Sequence, residues 1–360
     1  MTGSVYIHIP FCRQKCRYCS FVSFAAPELI EDYLEALLKE IRTLYKDEML
    51  DTLYLGGGTP SILKAEQIEK ILSLFNFDRK TEVTMELNPE NLTEKYFSQI
   101  KNCGINRLSI GCQSFDEKIL NLIGRKHSPE DVENAVKFAR NSGFTNISLD
   151  FIYGLPDQTI ESFVSDLEHA KDLGVQHISL YGLKIEEGCY FYNHPPINIA
   201  DEDLQSEMYL AAIKTLCNFE HYEISNFAKE GFYSRHNLNY WNNGNYYGFG
   251  ASAHGYEGDT RYSNQDNLKK YIQIPFEKKS TRKLSKQEKL EEEIFLGFRR
   301  KTGINYGLIN NKFGINFEEK YSKILKKYFS TGHLETTASG CKLTTGGILV
   351  SSYILADFLE

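Results

Sequence analysis

The chain has 360 residues, with 41 Lys plus Arg against 48 Asp plus Glu and a formal net charge of −7. That length excludes a disulfide-stapled miniprotein and suits one large domain with a smaller one. Apolar residues at 41% and charged residues at 25% exclude global disorder, and no apolar run is long enough to span a bilayer.

The opening segment MTGSVYIHIPFC has neither a basic n-region nor an apolar h-region of signal-peptide length. A cytoplasmic protein is therefore expected. From Val5 to Leu180, short β-rich runs alternate with segments of helical period. Strands are expected at 5–9, 53–55, 83–87, 107–110, 147–152 and 177–180. The helix expected at 29–45 places Leu34, Leu37, Leu38, Ile41 and Leu44 on one face. Others are expected at 65–74, 92–100, 129–141 and 160–173. Six βα units fall short of the eight of a closed barrel, so the expected fold is α/β, a partial (β/α)6 TIM-like barrel. A flat doubly wound sheet is the alternative that periodicity leaves open.

After about residue 185 the pattern changes, and 237–262 reads as an irregular, aromatic-rich connection. Ser285 with Glu288 forms a capping box ahead of a helix at 290–298, a second helix is expected at 317–329, and 333–343 with 347–351 resembles a hairpin. The expected domains are 1–225 for the barrel and 226–360 for the remainder. The latter divides into a connecting region, 226–275, and a helical, winged-helix-like module, 276–360. Segment 276–330 carries 14 Lys or Arg against 7 Asp or Glu, leaving 27 against 41 elsewhere. It reads as a solvated helix surface or as a docking face for an anionic membrane or an acidic partner.

Of eight cysteines, Cys12, Cys16 and Cys19 cluster with the spacing C-x-x-x-C-x-x-C directly after the first expected strand. Three thiolates on one loop can hold three irons of a 4Fe-4S cluster and leave the fourth without a protein ligand. That iron can chelate the amino and carboxylate groups of S-adenosylmethionine, and an electron from the reduced cluster can then yield a 5′-deoxyadenosyl radical. Structural zinc is the competing use, but it needs a fourth ligand, and the local candidate, His8, sits inside a strand. Cys103, Cys112, Cys189, Cys217 and Cys341 are most simply small apolar residues. Gly56, Gly57 and Gly58 follow the second strand without the Lys-Ser or Lys-Thr of a phosphate loop. Glu86 ends the third expected strand, Gln113 lies in the turn after the fourth, Arg125 falls in IGRKHS, and Asp150 is on the fifth strand. Taken singly, Glu86 and Arg125 read as surface charges and Asp150 as a capping residue.

The cysteine loop, with YIHIPFC before it and GGGTP at 56–60, resembles the radical S-adenosylmethionine superfamily, and within it the HemN-like branch. That branch includes oxygen-independent coproporphyrinogen III oxidase and the HemW type of heme chaperone. The similarity extends from Tyr6 to LTTGGILVS, which starts at Leu343. It implies that Cys12, Cys16 and Cys19 hold a 4Fe-4S cluster. It also implies that Tyr6, Tyr18, Gly57, Gly58, Thr59, Glu86, Gln113, Arg125 and Asp150 contact S-adenosylmethionine. The residue types suit that ligand: carboxylate or amide for ribose hydroxyls, Arg for the methionine carboxylate.

Three features favour the chaperone type over the oxidase. Phe21 stands where the oxidase resemblance implies a fourth cysteine; the first strand begins about five residues in, without the extension expected of the oxidase; and RHNLNYW at 235–241 matches an H-N-x-x-Y-W motif associated with heme. The match implies His236 as an iron ligand, Tyr240 and Trp241 as a surface for the porphyrin, and Asn237 as an orienting neighbour. Cys189 and His254 stay open as iron ligands, and packing is the competing role for His236 and Trp241. The resemblance thus predicts a chaperone carrying a 4Fe-4S cluster, S-adenosylmethionine and heme, and delivering heme to respiratory hemoproteins, with peripheral contact at the inner membrane. The oxidase, a coproporphyrinogen dehydrogenase, is the alternative. No nucleic-acid partner is expected from so acidic a chain, and a homodimer is left open.

Overall fold

Val5, Ile7 and Ile9 alternate along the first strand and are fully buried, and Ser4 and His8 on its other face are buried too, as in a strand covered on both faces. The computed structural model describes residues 3–359. Its main sheet is built from β1 (Gly3–Ile9), β2 (Leu50–Gly57), β3 (Glu82–Leu87), β4 (Arg107–Gln113), β5 (Ile147–Tyr153) and β6 (His177–Gly182). These pair in parallel, each with the next in sequence. The connecting helices are α1 (Ile30–Leu44), α2 (Ala65–Leu72), α3 (Glu94–Asn102), α4 (Glu117–Leu122), α5 (Pro129–Asn141) and α6 (Ile160–Asp172). Local chemistry sets their starts. Thr93, rather than Leu92, begins the third helix because its side chain accepts the Tyr96 N–H, and Ser128 with Asp131 closes a capping box ahead of Pro129. The short α4, capped by Asp116, was not expected from periodicity.

The sheet is larger than the six units expected. An antiparallel hairpin, β7 (Glu220–Glu223) with β8 (Asn226–Ala228), extends the β6 edge, and β9 (Tyr247–Phe249) adds in parallel to β1. The order is β7-β8-β6-β5-β4-β3-β2-β1-β9, so nine strands form an open, partial barrel. Position 225/226 lies in the turn between β7 and β8. The connection at 237–262, expected to be irregular, instead contains β9, most of a helix (Arg235–Trp241), β10 (His254–Glu257) and most of β11 (Thr260–Asn264). Its glycines permit close backbone approach: Gly248 leaves no room for a Cβ against the His254 carbonyl. Buried Glu40 on α1 ties this region to the barrel, accepting from Gly250 N–H, Asn264, Tyr271 and Lys278.

One hydrophobic core spans Val5 to Tyr271 and a second spans Leu290 to Phe358. In the second, Ser285 and Glu288 form the expected capping box on the helix Lys286–Gly297. Two expectations are corrected. The helix at 317–329 is broken at Tyr321 into Phe317–Lys320 and Ser322–Ser330. Residues 347–351 span two short helices, Thr345–Leu349 capped by Thr344 and Ser351–Ala356, with a turn at Val350; the third strand beside Leu334–Thr336 and Gly340–Leu343 is Ile304–Asn305.

Candidate cluster and cofactor site

The loops after the parallel strands surround a cavity of about 730 Å3, at the strand ends where βα barrels place their sites. Cys12, Cys16 and Cys19 line it together with Tyr18, Gly57, Gly58, Thr59, Glu86, Gln113, Arg125 and Asp150. The cysteine loop is closed at its base by Cys12 N–H to Phe24 O (3.1 Å) and Phe24 N–H to Pro10 O (2.8 Å). All three thiols are free and part-exposed. Two donors already face them: Thr59 Oγ1 lies 3.4 Å from Cys12 Sγ, and Arg125 Nη1 lies 3.7 Å from Cys16 Sγ.

Gly58 is required by closeness, since a Cβ there would sit 2.7 Å from the Phe11 carbonyl oxygen, and Gly57 holds φ +113°. The Gly57 N–H donates to Glu86 Oε2 (3.0 Å), while Tyr54 Oη donates to Glu86 Oε1 (2.8 Å). Burial raises the Glu86 carboxyl to about 7; the Tyr54 hydrogen bond opposes this and the Asp150 charge adds to it. Arg125 spans the floor, with Nη2 donating to Gly111 O (2.6 Å) and Asn88 Oδ1 (3.0 Å) and Nε donating to His127 Nδ1 (3.2 Å). Burial and then the Arg125 charge push His127 down to about 3, so His127 is a neutral acceptor here. Asp150 accepts from Ser109 Oγ (2.7 Å) and Ser148 Oγ (3.0 Å). Gln113 sits at φ +69° beside a bulge in β4, a conformation that costs a non-glycine residue energy and clusters at ligand sites.

Tyr6 is not on the cavity wall. Its ring stacks on Tyr54 at 6.0 Å and its hydroxyl meets His8 Nδ1 at 3.0 Å. The residues His236, Asn237, Tyr240 and Trp241 do not line the cavity either. Their helix starts at the far ends of the strands, where Glu82, the first residue of β3, accepts the Arg235 and His236 N–H groups. His236 is buried, with Nδ1 paired to Thr52 Oγ1 and Nε2 to Tyr240 Oη, both at 2.8 Å. Its ring stacks on Tyr54 at 5.0 Å, and burial with the Arg107 charge lowers it to about 3. The guanidinium of Arg299 lies 4.4 Å over the Trp241 ring. Cys189 is buried and His254 is exposed on β10.

Residues 6–170 match the family model of the radical SAM superfamily, and residues 284–350 match that of the HemN C-terminal domain. The heme chaperone HemW of Bacillus subtilis is 37% identical over 99% of this chain and 99% of its own. The chain belongs to the HemW family. The heme chaperone HemW of Lactococcus lactis is 35% identical over 99% of this chain and 97% of its own. Coproporphyrinogen III oxidase (HemN) from Escherichia coli shares the fold, with a TM-score of 0.87 at 23% identity over 99% of this chain and 90% of that one.

The HemW family carries a 4Fe-4S cluster and S-adenosylmethionine, and the cysteine loop fits the cluster. Among the described residues no three His, Cys, Asp or Glu side chains converge on a single-ion site. The irons of a cubane lie apart and take one thiolate each, which suits three free thiols spaced along one loop at the cavity. When bound, the cluster supplies an electron and an open iron for the sulfonium ligand. The chain's own residues supply the rest: Arg125 brings fixed positive charge beside Cys16, Glu86 holds the Gly57 amide in place, and Asp150 presents a carboxylate anchored by two serines. Tyr54, Asn88 and Tyr181 also line the cavity and were not singled out from the sequence. Tyr181 had a usable signal, since it follows Leu180 at the end of an expected strand.

A pH prediction follows from Glu86. Its native carboxyl keeps a proton above its ordinary value of 4.5, so the native state binds more protons than the unfolded chain between about 4.5 and 7. Stability therefore falls as pH rises through that window. In cofactor-free protein, Glu86→Gln is expected to remove roughly 1–3 kcal/mol of that decline, measured by urea melts at pH 5 and pH 8. Equal pH slopes in both proteins would contradict it.

Proposed function

We propose that this protein is a heme chaperone that carries a 4Fe-4S cluster on Cys12, Cys16 and Cys19, binds S-adenosylmethionine in the adjoining cavity, and hands heme to respiratory hemoproteins. The carrying observation is end-to-end similarity to the heme chaperones, with Phe21 on the cluster loop where the oxidase resemblance implies cysteine. In this proposal the S-adenosylmethionine carboxylate faces Arg125, and the ribose hydroxyls face Asp150 or Glu86. Among the described residues no helix is long and apolar enough to cross a membrane. Contact with respiratory acceptors is then peripheral, at the inner membrane face. The basic segment supports that meeting only with part of its charge, because Lys278, Lys279, Arg282, Lys289, Lys312 and Lys327 are spent in ion pairs.

The test pairs two assays on anaerobically reconstituted protein. Hemin is expected to bind stoichiometrically with a shifted Soret band, and coproporphyrinogen III is expected to stay unchanged with reductant and S-adenosylmethionine present. Steady formation of protoporphyrinogen IX would replace the chaperone with the oxidase.

A further inference from the structure

We propose that His177, beneath the cofactor cavity, is a positioning residue that fixes the Asp150 carboxylate through the Ser148 hydroxyl; this rests on the proposed contact between Asp150 and the ribose hydroxyls of S-adenosylmethionine.

Side chains on neighbouring parallel strands meet where their residues stand in register. His177, the first residue of β6, pairs with Ser148 of β5, and Asp150 lies two residues further along β5 on the same face. Asp150 lines the cavity, whereas Ser148 and His177 lie below it and are wholly buried. Their polar groups therefore need partners inside the protein. Ser148 Oγ donates to Asp150 Oδ1 (3.0 Å) and stands 2.7 Å from His177 Nδ1, with Ser179 Oγ farther off at 3.4 Å. On the other side of the ring, His177 Nε2 is 2.8 Å from Tyr222 Oη, which accepts the Ser234 N–H at 3.1 Å.

The supply of protons sets the direction of each bond. A hydroxyl has one hydrogen, and a carboxylate oxygen only accepts. Ser148 gives its hydrogen to Asp150, so the Ser148 oxygen accepts from His177 and the ring carries its proton on Nδ1. Burial, with the Arg107 charge, lowers His177 well below its ordinary 6.5. The ring is therefore neutral, and the lone pair on Nε2 takes the Tyr222 hydrogen. The Ser234 amide, Tyr222, His177 and Ser148 thus donate in one direction, and the chain ends on Asp150 Oδ1. The other tautomer would set a lone pair of His177 against one of Ser148, or draw the Ser148 hydrogen away from Asp150.

Both ends of the chain are anchored. Ser234 is the N-cap of the helix Arg235–Trp241, its Oγ accepting the Asn237 N–H. At the cavity, Ser109 Oγ holds Asp150 Oδ2 at 2.7 Å. Each carboxylate oxygen is aimed by a protein hydroxyl and keeps a further lone pair for a ligand hydroxyl. Asp150 is set before a ligand arrives, which spares the ordering cost of binding.

The experiment titrates S-adenosylmethionine calorimetrically into full-length, cluster-reconstituted wild type, His177→Asn, His177→Gln, Ser148→Ala, Asp150→Ala and the Asp150→Ala/His177→Gln double variant, with a urea melt of each. The amide of Asn stands where Nδ1 stands and keeps a donor for Ser148, whereas that of Gln stands where Nε2 stands and keeps only the Tyr222 partner. His177→Gln and Ser148→Ala are expected to bind roughly tenfold more weakly, and His177→Asn within about threefold of wild type, whatever the order of their stabilities. In the Asp150→Ala background the His177→Gln penalty is expected to vanish. Wild-type affinity in Ser148→Ala, equal losses in His177→Asn and His177→Gln, or a His177→Gln penalty that persists without Asp150 would overturn the proposal and leave the ribose contact standing. Wild-type affinity in Asp150→Ala would instead remove the ribose contact, and the proposal with it.

Discussion

Replacing Cys12, Cys16 and Cys19 together by alanine is expected to give a folded, colourless protein that no longer retains S-adenosylmethionine. The thiols are part-exposed on a loop, whereas the neighbouring core is carried by Phe11 and the strand before it, so the fold does not depend on them. What is lost is the set of thiolates that can anchor the cluster, and with it the iron that holds the ligand's amino and carboxylate groups. Arg125 would then face the carboxylate alone. A loss of about 3 kcal/mol or more is expected, roughly a hundredfold in affinity. Iron and sulfide content, far-UV circular dichroism and calorimetric titration of S-adenosylmethionine measure it. Retained iron–sulfur absorbance in the triple variant would remove the cluster assignment.

His236→Ala is expected to have the second-largest effect, and at the cavity rather than at the heme. The imidazole is buried, takes part in hydrogen bonds with Thr52 and Tyr240, and stacks on Tyr54. Its removal leaves two hydroxyls without their partner and opens a hole, at a cost of about 3 kcal/mol in urea melts. Tyr54 then loses one face, and Tyr54 is what holds Glu86, which in turn holds the Gly57 amide. S-adenosylmethionine affinity is therefore expected to fall roughly tenfold, with partial recovery in His236→Gln, while the axial spectrum of bound heme stays that of wild type. Normal cofactor affinity with a lost heme spectrum would place His236 at the heme instead.

These expectations show what local pattern carries and what it does not. The strands β1 to β6 were legible because each is an apolar run covered by helices, and the cysteine loop because its spacing is tied to one chemistry. The strands β7, β8 and β9 were not, being three or four residues long and placed at sheet edges by partners far away in sequence. Gln113 was legible at the end of its strand, and Asp150 as a carboxylate within a mostly apolar one. Tyr54 was passed over because it lies inside β2, and its role depends on Glu86 across a strand pairing. The string RHNLNYW names its residues but not the end of the barrel where they fold. Only the pairing of Arg235 and His236 with Glu82 places that helix beneath the strands.

Heme handover tests the account most directly. Hemin-loaded, cluster-reconstituted protein is mixed anaerobically with membrane vesicles that contain heme-depleted respiratory hemoproteins, and holo-acceptor is followed by its difference spectrum against an equal dose of free hemin. The account predicts faster and more complete holo-acceptor formation from the protein than from free hemin. Retention of heme by the protein, or transfer no better than free hemin, would contradict it.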